Sequence, residues 1–348
     1  LFDMHVHLHD ESFYPLFLMH GITTIREMGN TEEDIWGKRE KVNSGEVLGP
    51  RMYIAGPILE GSPPLWDGFR VVDTEAESRE AVRDLSSKGV DFIKVYETLK
   101  EKPYKAAIQE AAKHGLKVVG HIPYDVDIID AITLGQVGIE HMVDIATSIG
   151  DIKSKDATSK EYEGWSVFTN LVIDKSRLDK LKAALEKTDS YICPTFTQSD
   201  RMSLLSNYEE LKKNTEGIEY LSDYVEGNWK PSSPEASANI RGAKPPLYYE
   251  NYRVLHEASK QLLLPLAESS TILAGSDTPN PFVVPGFSLI RELETLVECG
   301  LKPYQALEAA THNGAKFFDA LDDIGTIEEG KIANMVLLSK NPLDDISA

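Results

Sequence analysis

The chain has 348 residues, 41% of them hydrophobic and 26% charged, a balance that suits a globular protein with a large buried core and excludes disordered and fibrous classes. Its formal net charge of −20 repels polyanions, so nucleic acid and anionic membrane surfaces are poor partners and a small-molecule substrate is the better expectation. No run approaches the roughly 20 apolar residues of a membrane span, and Cys193 and Cys299 read as two buried thiols rather than a disulfide framework.

Short β-branched, apolar runs recur along the chain, each followed by a segment of helical period, and this alternation predicts parallel strands with helical crossovers. The expected strands are Phe2 to Leu8, Ile22 to Glu27, Arg51 to Ala55, Phe92 to Tyr96, Lys117 to His121, Gly138 to Met142, Tyr191 to Thr195 and Thr271 to Ser276. Between them Glu75 to Lys88, Pro103 to His114, Asp125 to Leu134 and Lys175 to Lys187 show helical spacing, several with Thr, Asp or Pro at the start and Gly near the end. Eight strand–helix units close a barrel, so the expected fold is α/β, a (β/α)8 TIM barrel over residues 1–320.

Two stretches break that rhythm. Ile149 to Asn170 reads as a polar connection, and Gln198 to Pro246 as a longer, helix-prone insertion ending in the Pro-rich run Lys230 to Pro246. Long loops after barrel strands commonly shape the mouth of a site, which makes the second stretch a candidate lid. Residues 321–348 follow, with a turn at Gly325 to Ala333 and a short apolar strand at Asn334 to Ser339 that has no evident partner.

The chemistry-bearing residues fall at strand ends. His5 and His7 are two apart, so on a regular strand they face the same side, and two imidazoles converging there make a natural pair of metal ligands. His121 closes Lys117-Val118-Val119-Gly120, His141 closes Gly138-Ile139-Glu140, and Asp277 follows Thr271 to Ser276. Barrel enzymes keep their catalytic groups at such ends. A carboxylate after an apolar strand is costly without a cation, although an N-cap role would also explain Asp277. Lys94 shares a strand face with Phe92 and Tyr96, and a strand lysine there either snorkels to the rim, pairs with an acid or loses its charge. A neutral amine can take up carbon dioxide to form a carbamate; the residues themselves leave that open beside a plain salt bridge.

Taken in order, His5-Val6-His7, Phe92-Ile93-Lys94-Val95-Tyr96, Gly120-His121, Glu140-His141 and Gly275-Ser276-Asp277-Thr278 resemble the amidohydrolase superfamily, in particular its imidazolonepropionase-like and prolidase-like branch. The tail from Ala309-Ala310-Thr311-His312 to Ala333-Asn334 looks like that family's closing segment, and the likeness spans nearly the whole chain. The resemblance implies that His5, His7 and Asp277 hold one divalent metal, that a carboxylated Lys94 bridges it to a second, and that His121 and His141 complete the second site. Zinc is the expected metal, with manganese, iron and cobalt compatible with the same ligands. It also implies a remnant of a small β-sandwich in residues 321–348.

The implied reaction is hydrolysis of an amide bond in a small peptide-like or N-acyl amino acid substrate by a metal-bridging hydroxide, with Asp277 as general base and then general acid. Tyr96, and Arg241 in the candidate lid, are the expected contacts to the substrate's carboxylate or oxyanion. The competing enzyme reading is a one-metal cyclic-amide hydrolase or deaminase, in which Lys94 stays an ammonium. A barrel that binds without catalysing is the non-enzyme alternative, and a homo-oligomer is compatible with any of them.

Overall fold

The structure, a computed structural model, describes residues 1–29, 34–66, 68–151, 171–229 and 246–347. Its strands are β1 (Phe2–Val6), β2 (Thr24–Glu27), β3 (Arg51–Ile54), β4 (Leu59–Glu60), β5 (Arg70–Val71), β6 (Phe92–Val95), β7 (Lys117–Gly120), β8 (Gln136–Glu140), β9 (Gly150–Asp151), β10 (Val172–Ile173), β11 (Tyr191–Cys193) and β12 (Thr271–Ile272). One sheet has the order β1-β2-β3 and another β12-β11-β8-β7-β6-β4-β5; every pairing within them is parallel. All eight strands expected of the barrel are present. Parallel neighbours require crossovers, and helices supply them everywhere except between the short strands β4 and β5, which fits an α/β fold of the TIM-barrel type.

Bonds also link the two sheets at both flanks. Beside β1, Met4 N–H donates to Ala274 O (2.9 Å), Asp277 N–H to His5 O (2.8 Å) and His7 N–H to Thr278 O (2.7 Å). Beside β3, the Asp91 N–H donates to Ile54 O (2.9 Å), and the Asp91 carboxylate accepts from Ile54 N–H (2.7 Å).

The helices start where the sequence offers caps. Thr74 and Glu77 form a reciprocal capping box at the head of Glu75–Ser87, an arrangement worth about 1 kcal/mol. The Asp127 and Asp174 side chains accept from the first-turn amides of Ile128–Leu134 and Lys175–Leu185. Strand alternation then divides the apolar residues into two cores. Phe2, Met4, Phe92, Val119, Tyr191, Cys193 and Leu273 cluster with Phe317 and Ile324, whereas Val6, Ile25, Ile93, Val118, Ile139, Ile192 and Ile272 pack in the larger core with the helices.

Three local features depart from the expectation. The short strands β4 and β5 enlarge the sheet beside β6, and β9 pairs with β10 in an antiparallel ladder. Asn334 to Ser339 forms no strand; Met335, Val336, Leu337 and Leu338 are exposed there, because alternation and β-propensity make a strand only where a neighbour takes the backbone bonds. Among the described residues no helix is long and apolar enough to cross a membrane.

The stretch expected to be a lid contains the helices Phe196–Leu204 and Tyr208–Asn214 and shorter helical turns as far as Trp229. Trp229 is buried, donates from Nε1 to Pro279 O (2.9 Å) and packs on Phe282. The insertion is thereby fastened to the loop that carries Asp277. Residues 152–170 of the polar connection and 230–245 of the Pro-rich run lie outside the described residues, and Arg241 with them.

Candidate metal centre

Four histidines form a chain of neighbouring rings. Centroids of His7 and His5 are 5.4 Å apart, those of His5 and His141 4.7 Å, and those of His141 and His121 4.5 Å. All four come from β1, β7 and β8 or from the residue following the strand, as expected. The register between β1 and β2 slips between Asp3 and Val6, and such irregularities re-aim side chains next to functional sites. Met4 stays with the inner apolar cluster while His5 is presented to Lys94, Glu140 and His141.

One ring nitrogen of each imidazole is held by the protein. His5 Nδ1 is 2.8 Å from Glu140 Oε2, His7 Nδ1 is 2.9 Å from Gly29 O, and His141 Nδ1 is 2.7 Å from Thr195 Oγ1. Donation from Nδ1 to these oxygens leaves Nε2 as the available lone pair, the tautomer a metal ligand needs. Burial, reinforced by the charge of Lys94 and neighbouring histidines, holds His5 well below the usual imidazole range, so its ring is neutral. His141 is depressed in the same way by burial and by His121.

Asp277 closes the cluster. Its Oδ1 is 3.5 Å from Nε2 of both His5 and His7, and its backbone takes a φ of 61°. Gly275 permits this approach, since a Cβ there would stand 2.7 Å from His5 N and 2.5 Å from Cys193 Sγ. Asp3 braces the same segment: its carboxylate accepts from Ser276 N (2.9 Å) and Ser276 Oγ (2.6 Å). Lys94 is 1% exposed, with Nζ 3.4 Å from His5 Nε2. Burial lowers its pKa, against the opposing pull of Asp277 and Glu140. His5, His7 and Asp277 offer donor atoms within 4.8 Å of one another, and this set of two imidazoles and a carboxylate suits a divalent transition metal.

His121 is arranged differently. Its Nδ1 lies 2.7 Å from Asp144 Oδ2 and 3.2 Å from Glu97 Oε1; against the lowering effect of burial, the two carboxylates push the ring up to about 9. Glu97, His121 and Asp144 form a second group whose donor atoms lie within 4.8 Å of one another. The Tyr96 ring packs on His121, with centroids 4.2 Å apart, and its hydroxyl accepts from Trp66 Nε1 (3.2 Å).

Beneath the cluster lies an ion pair that the sequence reading missed. Arg26 is wholly buried; it donates from Nη2 to both Glu140 carboxylate oxygens (2.8 Å each) and from Nε to Met4 O. Glu140 therefore bridges Arg26 and His5. A carboxylate on the inward alternation of β8 was the available signal, and nothing local joined it to Arg26.

Glu292, buried on the helix Phe287–Glu298, is a second missed support. It accepts from Phe196 N (2.9 Å), Thr197 N (2.7 Å) and Thr197 Oγ1 (3.0 Å), pinning the residues that follow Thr195, the partner of His141. Burial pushes its carboxyl up to about 7, against the hydrogen bonds that lower it. Because the folded value lies above the unfolded one, this group's stabilisation is full below about pH 4.5 and disappears as pH rises through about 7. The displacement from 4.5 to about 7 corresponds to about 3 kcal/mol. Denaturant titrations should show a steeper loss of stability between pH 5 and pH 7.5 in the wild type than in Glu292→Gln; parallel profiles would refute the assignment.

The sequence model described as "Amidohydrolase family" matches residues 1–158 and 200–348. No curated protein matches the chain. Among solved structures, a putative prolidase from Bifidobacterium longum superposes with a TM-score of 0.67 at 21% identity, over 99% of this chain and 75% of the other. A Xaa-Pro dipeptidase solved with methionine in its active site gives 0.66 at 19% identity, over 100% and 82% of the two chains. Bottromycin amidohydrolase gives 0.66 at 21% identity, over 92% and 67%. At these identities the likeness establishes a shared fold.

Proposed function

This chain belongs to the amidohydrolase family and is a hydrolase of carbon–nitrogen bonds, and from that premise we propose that it cleaves the amide of a small peptide-like or N-acyl amino acid substrate at a two-metal centre on a (β/α)8 barrel. The observation that carries the proposal is the convergence of His5 Nε2, His7 Nε2 and an Asp277 oxygen, with the Lys94 amine 3.4 Å from His5. The prolidase and the dipeptidase among structures of the same fold agree with a peptide-like substrate.

Bound divalent cations would supply Lewis acidity and a water acidic enough to ionise near neutral pH. The chain's own groups then have separate tasks. His5 and His7, with Nδ1 anchored on Glu140 and Gly29, would hold the first ion with Asp277. His141, anchored on Thr195, and His121 would hold the second, and Lys94, as its carbamate, would be a ligand available to both. Asp277 takes the proton of the attacking water and returns it to the departing nitrogen. Tyr96, fixed by Trp66 and the His121 ring, orients the substrate's carboxylate.

A one-metal hydrolase or deaminase draws its support from His121, whose Nδ1 lies within 3.2 Å of the Asp144 and Glu97 carboxylates while His5, His7 and Asp277 already form a compact set. Metal content per purified chain decides between the two readings. Two equivalents after reconstitution, falling to one in Lys94→Ala, are expected from the bridged centre. A single equivalent in wild type and variant alike would establish the one-metal reading, and none would remove the centre from the mechanism.

A further inference from the structure

The structure holds a cleft of about 430 Å³ that none of His5, His7, Lys94, His121, His141 or Asp277 lines. Its size falls within the range of small-molecule sites. Phe282, Val284, Phe287 and Ile290 give it an apolar wall, and Arg201 and Arg291 bring two guanidinium groups to the same space.

The two arginines are in unequal circumstances. Arg291 is satisfied: Nη1 donates to Glu294 (3.0 Å) and Glu298 (2.8 Å), and Nη2 to Glu298 (3.2 Å). Arg201, on the helix Phe196–Leu204, has an Nε sealed from solvent with no hydrogen-bond partner. The Asp200 carboxylate lies 3.9 Å from its Nη1, beyond hydrogen-bond reach. Burial lowers the Arg201 pKa, Asp200 opposes the shift, and the neighbouring Arg291 charge adds to the lowering. A half-buried guanidinium without a bonded anion, beside a second cation, is an unfavourable arrangement that a carboxylate relieves through paired N–H donation.

We propose that this cleft is a second binding site, taking a small carboxylate with an aromatic or branched apolar body, the carboxylate on Arg201 and the body against Phe282 and Phe287. Two kinds of molecule share that chemistry, a free apolar amino acid and the corresponding acid without an amine. Glu216 also lines the cleft and offers an ammonium group a counter-charge.

Calorimetric titration of the metal-loaded chain with L-phenylalanine and with 3-phenylpropionate tests the site. Saturable binding with a Kd of about 1 mM or below is expected. Arg201→Gln should weaken it at least tenfold, and Asp277→Asn should leave it unchanged. Asn214→Trp, a substitution of an exposed lining residue that spares the packing of Arg201, should weaken it as well. Loss in Asp277→Asn would put the ligand at the metal centre and overturn the proposal. So would undiminished binding in the Arg201 and Asn214 variants, or no binding by the wild type at 10 mM. If Glu216→Gln weakens phenylalanine alone, the amino acid is the ligand class; if neither probe is affected, the plain acid is.

Discussion

Asp277→Asn should lower kcat by about 10³-fold on any amide the enzyme accepts, with little change in thermal stability. The side chain retains its size but loses its negative charge and its proton affinity. Asparagine is among the residues that tolerate a left-handed backbone, so the φ of 61° at this position is preserved. The backbone bond from residue 277 to His5 O is unaffected, and Asp3 still braces Ser276. The defect should therefore be chemical. Turnover on a panel of dipeptides and N-acyl amino acids, measured at saturating metal beside a melting curve, is the test. A folded variant with wild-type turnover would remove Asp277 from proton transfer, whereas loss of metal with partial rescue at high metal concentration would assign it to ligation.

Glu140→Gln should cost about 3–5 kcal/mol of stability in the metal-free protein, the usual consequence of removing one partner from a buried ion pair. Glu140 uses both carboxylate oxygens on Arg26 and one of them also on His5. An amide offers a single oxygen, and its NH2 group must then confront either a guanidinium or an imidazole N–H. Arg26, wholly buried, loses its anion. His5 loses the acceptor that fixes its tautomer, and metal affinity should fall about 10–100-fold. Urea denaturation and chelator competition measure the two effects separately. Combining the change with Arg26→Met should restore much of the stability, because the stranded charge is gone, while affinity for metal stays low. If stability and affinity recover together, Glu140 acts on the ligands only through packing.

Glu292, Asp3 and Glu140 illustrate a common feature of this molecule: carboxylates buried one layer behind the histidine cluster. Each joins elements remote in sequence, Glu292 to the turn after β11, Asp3 to the Asp277 segment and Glu140 to β1 and β2. Their cost in desolvation is offset only where several donors converge on them. Substitutions at these positions should therefore disturb the centre without touching a substrate.

What the sequence by itself determined is the local part of this design. Strand period, helix caps and the placement of His5, His7, Lys94, His121, His141 and Asp277 at or beside strand ends are written in stretches of a few residues, because φ/ψ preference and side-chain alternation act over that range. That His5 pairs with a carboxylate 135 residues away, and that this carboxylate is neutralised by an arginine 114 residues away, has no local trace. The apolar pattern of Asn334 to Ser339 likewise favours a strand, yet strand formation requires a neighbouring backbone. The turning of His121 toward Asp144 and Glu97, and the unequal pairing of Arg201 and Arg291, were decided only on folding. Desolvation penalises an unpaired buried charge, and which partner comes within about 3 Å of it is settled by the tertiary structure.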